Sequence, residues 1–436
     1  MSLLPAHREP ITVMADGTVK QINPLSGTEV WTVPGRGHRP LVAGRASHMA
    51  EGPRGRGVPC AFCLERADEV PPEKARVVRS RGVTGATGAE EGGFVTLTAV
   101  PPEELHSTTP EFRRLPNLFE IVSYEYWREN HGLTPIAEAR ANHDRWLASP
   151  RGRELVLGVL RARFLSAGGS SETWGALDDD ARLARSMAFF AGGHDLVVPR
   201  RHVTDDDPEA LASSATLTPS EHTAYVRFTV ASIERLYADI PAARYVAAFQ
   251  NWLAPAGASF DHLHKQLVAI DEHGDQVQRE LTRLTARSGL YAGHLQYARD
   301  QGLVIAENDH AVAFAGFGHR YPTLEVWAKD TDRRPFEMTR TQIDGVSDVL
   351  HALHVATGSD IPCNEEWHHR PADVDRAMPW RIELKWRIST LAGFEGGTRI
   401  FVTTLTPWAL RDRALETLVA AQRDGRLAAG LRLART

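Results

Sequence analysis

Apolar and polar positions alternate in short runs near the start of the chain. Residues 18–33 carry β-branched and apolar side chains on both sides of Asn23-Pro24-Leu25-Ser26-Gly27, which predicts two strands around a turn. Loop composition follows at Pro34-Gly35-Arg36-Gly37 and over residues 51–57, and the glycine-rich segment 80–93 predicts another loop before a strand over 94–100. From about 125 to 192 the period changes. Apolar residues recur three and four apart with charges between them, which predicts a run of helices. Strand character returns over 194–202, stopped by Pro199. Thr218-Pro219-Ser220-Glu221 then supplies a capping residue, a first-turn proline and a glutamate three places after the cap, predicting a helix over 218–239. Residues 244–251 read as a buried strand.

The second half repeats this syntax. Strands are predicted at 310–318 and 323–329, a long helix at 336–357, strands at 380–389 and 398–404, and a closing helix over 408–428. Strand, strand, helix and strand thus occur twice, and the segment at 194 is loosely echoed near Leu324. The pattern predicts an α+β fold made of a duplicated unit, with the helical run inserted in the first copy.

Composition narrows the function classes. Of 436 residues, 42% are hydrophobic and 24% charged, so the chain can bury a sizeable core. A net charge of −5 argues against nucleic acid held by bulk charge. No apolar run approaches the roughly 18 residues of a membrane span, and the first residues lack a basic stretch followed by an apolar one. Three cysteines exclude a disulfide scaffold. The expectation is a soluble protein of a reducing compartment, cytoplasmic, with neither nucleic acid nor membrane as partner. Lysine stands only at 20, 74, 265, 329 and 385, so nearly all the basic residues are arginine. Part of that skew reads as genomic base composition, and arginine also suits bidentate phosphate binding better than lysine.

The segment from Asn251 to Gln266 concentrates the chemistry. His262, His264 and Gln266 alternate along an extended stretch, which puts two imidazoles and an amide on one face. An imidazole can attack phosphorus and form a phosphoramidate, dividing one transfer into two easier steps. A neighbouring amide can donate to a phosphoryl oxygen where charge develops. Gly257 and Ser259, just upstream, suit a backbone that must approach phosphates closely.

FQNWLAPAGASFDHLHKQ, residues 249–266, resembles the active-site segment of the galactose-1-phosphate uridylyltransferase family of the histidine-triad superfamily. The family's proline between the histidines is Leu263 here, and its following glycine is Lys265. Other patches resemble it in order: NPLSGTEVWTVPGRGHRP at the N-terminus, Arg114-Leu115-Pro116-Asn117-Leu118-Phe119, FAGFGHRYPTLEVW and AGFEGGTRI. The resemblance implies two tandem histidine-triad-like repeats of antiparallel sheet with packed helices. The first would span 1–290, with the helical insertion at about 125–192. The second, over 291–436, has no H-x-H-x-Q and would be catalytically silent.

The resemblance also implies roles. His264 would be the nucleophile, taking a nucleoside monophosphate from a nucleotide sugar and passing it to a sugar phosphate or phosphate. Gln266 would position phosphoryl oxygens, Asn251, Gly257 and Ser259 would border the phosphates, and Asn117 would contact base or ribose. A phosphorylase or hydrolase using the same histidine is the alternative, as is a zinc-stabilised nucleotide-binding protein without turnover. Because the family is usually dimeric, a homodimer is possible.

Cys60 and Cys63 form a C-x-x-C, which in a reducing compartment reads as half of a zinc site or as a redox pair. No thioredoxin-like strand and helix surround it. The resemblance supplies His262 and His202 as the other two ligands of a structural Zn2+ site, with His194 the alternative to His202. A closed site of this kind has no open position for metal-activated water. Where some relatives carry a second metal motif, this chain reads Trp380-Arg381-Ile382-Glu383-Leu384-Lys385, so no second metal is expected. His368 and His369 resemble a substrate-loop histidine or belong to a solvated loop. His319, Arg320 and Glu325 are candidates to reach sugar or phosphate. Arg200-Arg201 read as solvated and Cys363 as packed.

Overall fold

Two strands from opposite halves of the chain pair at the centre of the main sheet, and everything else is arranged outward from them. The computed structural model describes residues 9–34, 59–80, 93–388 and 392–435. The loop readings at 35–37 and 51–57, most of the glycine-rich segment and Arg39-Pro40 lie outside the described residues. The strands of the first half are β1 (Ile11–Val13), β2 (Val19–Ile22), β3 (Glu29–Thr32), β4 (Ala75–Arg79), β5 (Phe94–Thr98), β6 (Pro110–Pro116), β7 (His194–Pro199), β8 (Tyr245–Trp252) and β9 (Lys265–Ile270). Those of the second are β10 (Val304–Glu307), β11 (Ala311–Ala315), β12 (Thr323–Ala328), β13 (Cys363–His368), β14 (Arg381–Trp386), β15 (Ile400–Thr403) and β16 (Arg432–Leu433).

Twelve of these form one sheet in the order β5-β4-β6-β7-β9-β8-β13-β14-β12-β11-β10-β16, every pair antiparallel. Outward from β8 the order is β9, β7, β6; outward from β13 it is β14, β12, β11. The duplicated syntax of the sequence thus becomes two halves of the same topology joined edge to edge through β8 and β13, with Asn251 opposite Asn364. The loose echo of residue 194 near 324 is β7 against β12, strands in equivalent places.

One face of the sheet is covered by helices. Pro219–Asp239 begins where its sequence predicts, with Thr218 and Glu221 closing a reciprocal capping box. Its stripe of Tyr225, Val226, Ile233 and Leu236 is buried in the same core as Val349, Leu350 and Leu353 of Arg340–Thr357, the equivalent helix of the second half. The helical insertion also forms, running from Tyr124–His131 to Ala188–Ala191 between β6 and β7 around its own core of Trp146, Val156, Leu160, Phe189 and Phe190.

Two features are not written in the sequence pattern. The strands predicted around the Asn23–Gly27 turn form as β2 and β3, but with β1 they make a separate small sheet that β15 joins in parallel to β3. Residues 271–303, left unassigned in sequence, form the helices Gly274–Ala286 and Leu290–Asp300. With Val19 and Leu25, their apolar residues bury Phe314, Phe317 and Trp327 in a second core. No helix among the described residues is long and apolar enough to cross a membrane.

Candidate functional site

The nucleophile candidate stands at the mouth of β9. The strand begins at Lys265, so His262 and His264 lie on the extended entry to it and Gln266 lies inside it, between β7 and β8. Alternation along β9 sends Lys265, Leu267 and Ala269 to one side, where Leu267 and Ala269 join the helix-covered core. His264 and Gln266 face the other side. His264 is only 4% exposed, and its Nδ1–H donates to the backbone oxygen of His262 at 2.8 Å. A neutral imidazole has one protonated nitrogen, so Nε2 keeps its lone pair. Burial pulls the His264 pKa down, with the His262 hydrogen bond opposing, so the neutral form is favoured. Phe62, inside the C-x-x-C, sits over this ring at 5.3 Å and meets Phe260 at 4.7 Å, shielding it from water.

Gln266 is oriented by a residue that sequence reading considered only as a metal ligand. The Ile121 backbone N–H donates to His194 Nδ1 at 3.1 Å, which assigns the proton to Nε2, and His194 Nε2 donates to Gln266 Oε1 at 3.1 Å. The carboxamide oxygen is therefore engaged and the NH2 end is the free one. Asn117 is half-buried beside this pair: its Oδ1 accepts from Phe119 N–H at 2.9 Å, and its Nδ2, 3.0 Å from the protonated His194 Nε2, makes no hydrogen bond to that ring. Asn251 lies one strand from His264, and its Oδ1 accepts from Asn364 Nδ2 at 2.7 Å. The loop between β8 and His262 turns through two left-handed residues, Leu253 at φ 65° and Gly257 at φ 89°. A Cβ at Gly257 would meet nothing closer than Asn251 at 4.0 Å, so its backbone angle, rather than crowding, calls for glycine. Ser259 is exposed on the same loop.

Cys60, Cys63, His202 and His262 converge, their ligand atoms all within 4.8 Å of one another. Cys60 Sγ is 3.7 Å from Cys63 Sγ and 3.4 Å from His262 Nδ1; Cys63 Sγ is 3.4 Å from His202 Nδ1 and 3.8 Å from His262 Nδ1. A tetrahedron with Zn–S near 2.3 Å and Zn–N near 2.05 Å has edges of about 3.8 Å between sulfurs and about 3.6 Å between sulfur and nitrogen. The four observed separations are close to these edges, so the donor set fits such an ion. His262 Nε2 donates to the Pro199 carbonyl at 2.8 Å, which leaves Nδ1 bare for a metal. The Cys60 thiol is drawn down to about 7, first by its hydrogen bond from Cys63 and then by the Phe62 and Cys63 backbone N–H groups, while burial opposes. Of the two histidines considered for the fourth place, His202 comes to the cysteines and His194 goes to Gln266.

The equivalent face of the second half is polar but differently built. Glu383 belongs to two carboxylate–histidine groups, one with His319 and Glu325, the other with Glu366 and His368. Lys385 Nζ sits among them, 3.0 Å from Glu383 and 2.5 Å from Glu366, so an ammonium already supplies the positive charge there. Burial opposes the charged form of His319, but Glu383 and Glu325 outweigh it and raise its pKa. His369, just past the end of β13, is buried rather than solvated, stacked on Tyr245 at 4.6 Å with Nε2 3.1 Å from the Tyr237 hydroxyl. Arg201 is held by Glu221 and Asp205, and Arg200 by Glu111. Cys363 is packed as expected, its thiol pushed up to about 12 by burial and by Glu365.

Sequence reading missed the other side of β9. Lys265, fully buried, places Nζ 2.6 Å from Glu365 Oε1 and 3.1 Å from Gln250 Oε1, while Glu365 Oε2 meets His354 Nε2 at 2.7 Å. A lysine inside an apolar strand between two site residues was the available signal, since a buried ammonium requires a partner.

Comparison with known proteins places this architecture. The family model described as "Domain of unknown function (DUF4921)" matches residues 14–436. The solved structure of an ADP-glucose phosphorylase from Arabidopsis thaliana superposes with a TM-score of 0.58 at 16% identity, covering 92% of this chain and 98% of that one. A GalT-like protein from the same organism gives 0.56 at 16% identity, covering 91% and 98%. In sequence, the ADP-glucose phosphorylase of Arabidopsis thaliana is 26% identical over 176 residues, 37% of this chain and 49% of that protein. The chain thus matches about half the length of that curated relative.

Proposed function

For a chain that belongs to the DUF4921 family and carries the GalT-like fold of the histidine-triad superfamily, we propose nucleotidyl transfer through a covalent nucleotidyl-His264 intermediate. The donor is a nucleoside diphosphate sugar and the acceptor a phosphate group, inorganic or on a sugar. The observation that carries this is the state of His264, buried and neutral, with Nδ1 committed to the His262 carbonyl and Nε2 unencumbered. Nε2 attacks the α-phosphorus, a P–N bond forms, and the P–O bond to the departing sugar 1-phosphate breaks. An acceptor phosphate oxygen then attacks the same phosphorus, the P–N bond breaks, and the imidazole is returned neutral. Gln266, its oxygen held by His194, directs NH2 to the phosphoryl oxygens as charge grows on them. Asn251, Gly257 and Ser259 border the phosphates. The relationship to an ADP-glucose phosphorylase favours ADP-glucose as donor and inorganic phosphate as acceptor.

Zinc held by Cys60, Cys63, His202 and His262 would supply a fixed anchor rather than chemistry. His262 is both a member of that set and the acceptor of the His264 Nδ1 proton, so anchoring the one orients the other. Purified protein is expected to contain one zinc per chain by metal analysis. Cys60→Ser should lower zinc content and Tm together, because structural zinc contributes on the order of 10 kcal/mol of binding energy to a fold. Metal-free protein of undiminished Tm would sink the assignment.

The reaction is tested by intact-protein mass spectrometry after incubation with a panel of nucleotide sugars. The expected result is a mass gain of one nucleoside monophosphate with at least one donor, discharged by adding phosphate or a sugar phosphate. Turnover of a donor with no adduct at any time point, under quenching on the millisecond scale, would replace this reading with direct transfer.

A further inference from the structure

The second half holds a cavity that nothing in the proposed reaction uses. It lies between the turn Asn23–Thr28, the segment His319–Tyr321 and the ends of β13 and β14, with a volume of about 320 Å³. That is at the lower end of small-molecule sites and large enough for a monosaccharide phosphate. Its charges divide unevenly. Lys385 meets two carboxylates, Glu366 and Glu383, and His319 meets Glu325 and Glu383, so these cations leave no positive charge in excess. Arg320 and Arg387 have no carboxylate partner among the described residues, and the Nε of each is buried without a hydrogen-bond partner. Both guanidiniums rest on the ring of Tyr321, at 4.9 and 4.7 Å from its centre, and Arg387 Nη1 donates to Asn364 Oδ1 at 2.6 Å. Two pre-positioned guanidiniums on one wall, neither in direct contact with a carboxylate, have one efficient complement, a dianion with several acceptor oxygens.

We propose that this cavity is a second phosphoryl-binding site, taking inorganic phosphate or the phosphate of a sugar phosphate through Arg320 and Arg387. It is separate from the nucleophile. Arg387 lies just past β14, three strands from the entry to β9, so at about 4.8 Å per strand its backbone is roughly 14 Å from that of His264, while Asn364, the nearer wall of the cavity, is two strands away. A ligand there is bound and not transformed. It would nevertheless reach the transfer site, because Arg387 holds Asn364 and Asn364 holds Asn251, beside His264.

The test is calorimetric titration of the full-length protein, in a chloride buffer, with inorganic phosphate and separately with glucose 1-phosphate. His264→Ala, Arg320→Gln, Arg387→Gln and the double arginine variant are titrated alongside. Loss of one charge-assisted hydrogen-bonding group should weaken binding at this cavity about tenfold or more; with the affinity of the transfer site for the same ligands unchanged, the double variant should lose that binding event. His264→Ala should retain it. Equal affinity for the two ligands would assign the site to the phosphoryl group alone; tighter glucose 1-phosphate binding, still lost in the double variant, would assign it to a sugar phosphate. Absence of binding in the wild type, unchanged affinity in a double variant of native Tm, or loss in His264→Ala instead of the arginine variants would overturn the proposal. The adduct measurement is independent, so a protein that binds phosphate through these arginines yet never acquires a nucleotide would retain this site and lose the transfer reading.

Discussion

Replacing His264 by alanine is expected to abolish nucleotide exchange, with a loss on the order of 10⁴-fold or more, the scale seen when a covalent nucleophile is removed. The adduct in the mass spectrum should vanish at the same time. Zinc content and Tm should stay near wild type, because His264 is not among the four candidate ligands and meets His262 only through that residue's backbone carbonyl. That combination separates a chemical role from a structural one. The pH profile adds a second reading of the same group. Burial lowers the His264 pKa, so the nucleophilic neutral form persists as pH falls through 6.5 and is lost only below it. Adduct formation under saturating donor should therefore be flat across neutral pH with its acid limb below 6.5. An acid limb above 6.5 would mean that the imidazole is stabilised as a cation, contrary to its surroundings. Exchange that survives in His264→Ala removes it as nucleophile.

The parts of this site that the sequence makes legible are those where function requires a fixed spacing. His262, His264 and Gln266 are two apart because an extended chain repeats every two residues, and Cys60 and Cys63 are three apart because a tight loop must turn both thiols to one point. Helix Pro219–Asp239 is legible for a similar local reason, since its capping box is written in four consecutive residues. What stays hidden is made by tertiary contact. His194 orients Gln266 only because β7 pairs with β9 and because the segment after β6 brings the Ile121 N–H to its ring. Asn117 reads in sequence as a substrate contact and in space stands beside that pair, its Oδ1 turned to the Phe119 N–H. The helices Gly274–Ala286 and Leu290–Asp300 escape notice although the first carries Val277, Leu281 and Leu284 at helical spacing, because no capping residue announces its start: His273 precedes it without a side-chain cap.

Breaking the Lys265–Glu365 pair should be the most destabilising single change near the site. Both side chains are fully buried, and the pair sits where β9 and β13 flank β8, the strand that joins the two halves of the sheet. Burial alone would drive each toward neutrality; Lys265 and His354 instead hold the Glu365 carboxyl down at about 2, so the pair is ionised. Lys265→Met leaves that carboxylate without its ammonium, 2.7 Å from His354, in an apolar core. Removing one member of such a pair costs about 3–5 kcal/mol. Glu365→Gln strands the ammonium over the Tyr225 ring at 4.8 Å, with Gln250 as its remaining acceptor, and should cost a comparable amount. The double variant Lys265→Met/Glu365→Gln carries no unpaired charge and should recover most of the loss, because a buried pair replaced whole is close to neutral in stability. Chemical denaturation of the four proteins measures this. If the double variant is as unstable as the two single losses added together, the residues act by packing, independently of each other. If it recovers stability but not exchange activity, the ion pair also sets the alignment of His264 and Gln266, the two neighbours of Lys265 on the strand.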